Sequence, residues 1–148
     1  MPVTGFDITL RRPLAGGRAF GAAGPYEELK GRLRFAIDPE HPANYAITDV
    51  GLAPRNAQGR VEFAADVSIL LPADPRRSSG RILLDVVNRG NAVAVPNLNH
   101  ATRPVFGPGS YPNPPVDPGD GWLMDRGFVV VSCGWQCDVP EIPGLLRL

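Results

Sequence analysis

Arg81-Ile-Leu-Leu-Asp-Val-Val87 and, after Asn88 to Gly127, Phe128-Val-Val-Val-Ser132 decide the fold class. Each run is almost continuously aliphatic and is bounded by turn formers. Such runs suggest strands buried on both faces, as in a parallel sheet. The intervening segment is rich in Pro and Gly but closes with Gly121-Trp-Leu-Met-Asp-Arg-Gly127. That stretch reads as a short helix stopped by Gly127. A helix feeding a strand in this way is the end of a right-handed strand–helix–strand crossover.

Upstream the pattern changes to alternation. Val61 to Leu71 sets Val61, Phe63, Ala65, Val67, Ile69 and Leu71 on one face, with Glu62, Asp66 and Ser68 on the other. Leu29 to Ile37 sets Leu29, Gly31, Leu33, Phe35 and Ile37 against Lys30, Arg32 and Arg34. Both predict antiparallel strands with one wet side, and the three cations are expected to face solvent. Phe6 to Leu10 predicts a short half-buried strand ended by Pro13, and Ala46 to Leu52 a weak one. Ala15 to Pro25 reads as a loop. Its glycines, Gly17, Gly21 and Gly24, do not have dinucleotide-fingerprint spacing. The fold class is therefore β-rich α/β: antiparallel N-terminal strands leading into a parallel pair, with few short helices.

Composition agrees. The chain has 17 Gly and 17 Pro in 148 residues, close to twice the usual share of about 12%. So many breakers exclude a helical bundle. A hydrophobic fraction of 43% with 20% charged residues excludes a disordered chain. Fifteen basic and fifteen acidic residues cancel, so no basic surplus points to nucleic acid. Fourteen of the basic residues are Arg, and Lys30 is the lone lysine. No apolar run approaches the roughly 18 residues of a membrane span, and no signal peptide shows at Met1 to Leu10. The expectation is a cytoplasmic protein without a membrane partner.

Cys133 and Cys137 are the two cysteines. On an extended segment they stand roughly 13 Å apart, beyond the about 7 Å that a disulfide spans. Neither has a neighbouring base, and Asp138 would raise a Cys137 thiol pKa rather than lower it. His41 and His100 lack metal-ligand spacing, so neither metal nor cofactor is expected. Five serines occur: Ser68, Ser78, Ser79, Ser110 and Ser132. None sits in Gly-x-Ser-x-Gly, and Ser110 is the least implausible nucleophile.

The order of elements from Val61 resembles the second, third and fourth strands of an α/β-hydrolase. Phe20-Gly-Ala-Ala-Gly-Pro-Tyr-Glu-Glu28, Gly31-Arg32, Asp38-Pro39, Leu52-Ala-Pro-Arg-Asn56, Val61-Glu-Phe63, Asn88-Arg-Gly-Asn91, Gly134-Trp-Gln136 and Asp138-Val139 occur along nearly the whole chain. Together these phrases resemble a bacterial family of uncharacterised "alpha/beta hydrolase domain" proteins. One departure is Cys137, where the family pattern would place Gly. The resemblance implies chains of several hundred residues, a truncation after residue 148, and a serine nucleophile, acid and base that all lie later. It implies no catalytic residue within residues 1–148.

Asn88, Arg89, Gly90 and Asn91 are the leading site candidates. They follow the first apolar strand, and open α/β sheets bind ligands at the carboxyl ends of parallel strands. Gly90 allows backbone N–H groups to converge, as an oxyanion hole requires. The alternative is a turn shaped by Asn side chains on their own backbone. Trp135, Gln136 and Asp138 follow the adjacent strand and are cleft-rim candidates, with His100. Two functions remain open. One is the N-terminal part of an ester- or amide-cleaving hydrolase, inactive alone. The other is a non-enzymatic β-rich module binding a ligand or partner. In either case an exposed apolar sheet would mark a missing C-terminal part or another chain.

Overall fold

The computed structural model describes residues 3–107 and 113–148, so Ser110 lies outside the described residues. Six strands form one open mixed sheet: β1 (Val3–Pro13), β2 (Ala19–Phe20), β3 (Gly24–Ile37), β4 (Val61–Pro72), β5 (Ile82–Val86) and β6 (Val129–Cys133). The path across it is β1-β3-β4-β6-β5, with β2 paired to the start of β3. β1, β3, β4 and β6 pair antiparallel, whereas β5 and β6 are parallel. Two short helices, α1 (Ala94–Leu98) and α2 (Trp122–Asp125), lie in the β5-to-β6 crossover. The parallel pair and the helix before its second strand follow the sequence reading. Gly127 ends that helix, its N–H donating to the Met124 carbonyl.

Residues opposite one another in a ladder share a face, so the register assigns the sides. One face carries Tyr26, Glu28 and Lys30 of β3, Ser68 and Leu70 of β4, Val130 and Ser132 of β6, and Leu83 and Asp85 of β5. The crossover covers this face. Val95, Leu123 and Met124 pack on Tyr26, Leu70 and Val130, with Leu14, Phe20 and Ala23 beside them. The ring of Phe20 meets that of Tyr26 edge-on at 5.6 Å. The Tyr26 hydroxyl lies 3.1 and 3.0 Å from the Met124 and Phe128 carbonyls and fixes the crossover to the sheet.

The other face carries Ile82, Leu84 and Val86 of β5, Val129 and Val131 of β6, and Ile69 of β4. The buried core cluster draws nothing from it. Its exposure rises toward the β5 edge, where Ile82, Leu84 and Val86 are 70%, 62% and 64% exposed.

Four expectations are corrected. The apolar runs are not buried on both faces, because both helices lie on the same side. Lys30 is not a solvated cation. Its side chain is 15% exposed under the crossover, while Arg32 and Arg34 do face solvent. Ala46 to Leu52 is not a strand. Asp38 to Ala53 folds on itself through short backbone bonds such as Ile47 N–H to Asn44 O and Leu52 N–H to Asp49 O. With no ladder beside it, that segment takes 3₁₀ turns at Pro42–Asn44 and Val50–Leu52. Finally, Ala15 to Pro25 is not loop throughout. Ala19 and Phe20 pair with Pro25 and Gly24, because burial of the Phe20 ring draws the backbone alongside β3. β1 also runs longer than Phe6 to Leu10, with register shifts between Val3 and Gly5 and between Ile8 and Leu10.

Candidate functional site

Asn88 to Asn91 forms a tight turn at the end of β5. Arg89 and Gly90 have φ values of 51° and 81°. Positive φ at both central residues is the signature of a type I′ turn. Asn88 and Asn91 close it with two backbone bonds of 2.9 Å, N–H to O in each direction. The Asn91 side-chain amide also donates to the Asn88 and Arg89 carbonyls at 3.3 and 3.2 Å. Gly90 is required twice over. Beyond its φ, a Cβ there would stand 2.9 Å from both Leu145 Cβ and Val139 Cγ1.

The segment after β6 clasps this turn. Gln136 Oε1 accepts from the Arg89 N–H at 2.9 Å, and the Trp135 indole N–H donates to the Val87 carbonyl at 2.7 Å. Asp138 accepts from the Arg89 guanidinium at 2.6 Å. That hydrogen bond, with the guanidinium charge, holds the Asp138 carboxyl below its ordinary range. Both partners are more than half exposed, so solvent screens the pair and it adds little to stability. The chain end closes the third side, with Leu146 N–H donating to the Gly90 carbonyl at 2.9 Å.

The fold thus brings Trp135, Gln136 and Asp138 against Asn88–Asn91. It does not bring His100 there. That side chain is 84% exposed and pairs with Asp120 at 2.9 Å, which is the main reason the Asp120 carboxyl titrates low. Three of the four turn N–H groups are occupied, on Asn91 O, Gln136 Oε1 and Asn88 O. Among the described residues only the Gly90 N–H has no partner. One donor is half of a two-donor oxyanion hole.

Among the described residues no nucleophile is poised beside a base. The Ser132 hydroxyl donates to Asp85 at 2.9 Å, and Ser78 and Ser79 donate to the Gly127 carbonyl. His41 Nδ1 accepts from the Ala43 N–H. Burial, then the Asp66 charge, raises the Cys133 thiol pKa. Both cysteines are free thiols. Among the described residues no three His, Cys, Asp or Glu side chains cluster to hold a metal.

A cavity of about 280 Å³ lies beside the turn, over the covered face of the sheet. Gly90, Val95, Phe106, Val116 and Leu146 contribute to its walls, and Lys30, Ser68 and Ser132 to its polar part. Those three, with Asp85, form one row across four strands. Lys30 is opposite Ser68, Ser68 opposite Ser132, and Ser132 opposite Asp85. Asp85 is 4% exposed and also accepts from the Val93 N–H at 3.0 Å. Alternation alone did not reveal this row, because it separates two faces without saying which is covered. One signal was present. Glu28 and Lys30 share a face with Tyr26, and a tyrosine two residues from a Glu-x-Lys pair marks that face as a candidate for burial.

No family model, curated protein or solved structure matches this chain.

Proposed function

We propose that the chain supplies the first strands of an α/β-hydrolase-type sheet, as the N-terminal part of an ester- or amide-cleaving enzyme. The carrying observation is the one-sided cover of the sheet. Ile82, Leu84 and Val86 stand exposed in a row on an edge strand, opposite the face that the crossover covers. Apolar rows of this kind mark a surface that another layer occupies. Further elements of the same protein, or another chain, would cover it. The Asn88–Asn91 turn would add one N–H donor to an oxyanion site whose nucleophile, acid and base come from elsewhere.

Reading the coding DNA past codon 148 tests this. An in-frame continuation containing Gly-x-Ser-x-Gly is expected, and a stop codon directly after Leu148 overturns the reading. The 148-residue chain is also expected not to hydrolyse p-nitrophenyl acetate. Steady turnover that co-purifies with the chain would contradict it. The alternative of a ligand-binding module draws on a different observation, the cavity over the polar row.

A further inference from the structure

We propose that the cavity over the Lys30–Ser68–Ser132 row binds a small amphipathic monocarboxylate, its apolar body in the cavity and its carboxylate on Lys30 and Ser68. The proposal does not rest on the hydrolase reading, since Lys30, Ser68 and Ser132 and the named wall residues line the cavity whatever the rest of the chain does. Its volume of about 280 Å³ lies at the small end of ligand pockets, which run from about 300 to 1,000 Å³. That suits a ligand the size of a medium-chain or aromatic acid. The walls are mainly Val, Pro, Phe and Leu, so they offer such a body dispersion contacts and few hydrogen bonds.

The polar end is rich in donors. Lys30 brings three N–H donors, and the Ser68 hydroxyl has no hydrogen-bond partner among the described residues. The nearby carboxylates are held in part by other donors. Glu28 Oε2 accepts from Arg12 Nε at 2.7 Å, while its buried Oε1 has no hydrogen bond and faces Lys30. Lys30 Nζ stands 3.3 Å from Glu28 Oε1 in an ion pair too bent for a hydrogen bond. Asp117, on the cavity wall, accepts from the Thr102 and Gly119 N–H groups, which hold its carboxyl low. Asp85 accepts from Ser132 and from Val93 N–H. Among the described residues Lys30 therefore has one carboxylate neighbour, Glu28, and with three N–H donors retains capacity for a second acceptor. An acceptor-bearing anion fits that end, and an ammonium does not.

The test is calorimetric titration of the full chain with sodium octanoate, octan-1-ol and octylammonium chloride, with methyl NMR to locate the ligand. Octanoate is expected to bind saturably at one site, with nuclear Overhauser contacts to Val95 and Leu146 methyls. Lys30→Met should weaken octanoate about tenfold or more, the loss expected for a charge-assisted hydrogen bond, while leaving octanol unchanged. Ser68→Ala, a smaller change, should weaken it several-fold and covers the case in which Lys30→Met does not fold. No octanoate binding, equal affinity for octylammonium, unaltered affinity in the variants, or contacts only at Ile82, Leu84 and Val86 would each overturn the assignment.

Discussion

Tyr26 ties two parts of the covered face together, and its hydroxyl titrates accordingly. Burial, then the charge of Asp125, pushes its pKa up to about 12. An unfolded tyrosine titrates near 10. Folding therefore favours the neutral phenol. Its contribution is complete below about pH 10 and is lost as pH rises toward about 12. Tyr26→Phe should cost about 1 kcal/mol at neutral pH, and its urea midpoint should fall less steeply than that of the parent chain across this alkaline window. Parallel decline of the two would remove Tyr26 from this role. Gly90→Ala should be worse by a different route, losing about 1–3 kcal/mol to backbone strain before any clash with Leu145 and Val139 is relieved. A urea midpoint unchanged from the parent would mean that the turn relaxes freely. At this scale the Asn88–Asn91 turn was legible because turn chemistry is local. Lys30 was not, since its cover comes from residues far away in sequence. Arg12, for example, donates to the Asn113 and Pro114 carbonyls from across the sheet and fastens the crossover over this face.

At the scale of elements, β3, β4, β5, β6 and α2 were each readable from runs, alternation and stop signals. Ala46 to Leu52 failed because alternation needs a neighbouring strand to become a ladder, and Asp49 there adopts φ 58°. β2 escaped because two residues carry no period. The fate of β5 shows the limit most clearly. An apolar run says that burial is favourable, and it does not say that both covering layers are present. Leu84→Lys tests whether the outer side of β5 is sticky. Leu84 is 62% exposed, so the change should alter stability by no more than about 0.5 kcal/mol. Concentration-dependent light scattering should fall at the same time. Equal scattering by both chains would show that this side drives no association.

For the whole molecule, surface area measures how open the chain is. A folded monomer of 15.8 kDa should expose about 7,300 Å², whereas this chain exposes 8662 Å². The excess of roughly 1,300 Å² exceeds the about 800 Å² that each partner buries in a standard protein interface. The parallel pairing of β5 with β6 has a further consequence, in time rather than space. Ile37 meets Val61 across one moderate loop, but Ile82 reaches Val129 only after the entire crossover has been gathered in. Each doubling of loop length costs about 0.6 kcal/mol of closure entropy, which must be met before any contact repays it. β6 must cross an even longer separation to reach β4, so until the β5–β6 pair joins, β4 is an unpaired edge, and the nascent chain passes through a stage in which the β1 and β4 edges are both open.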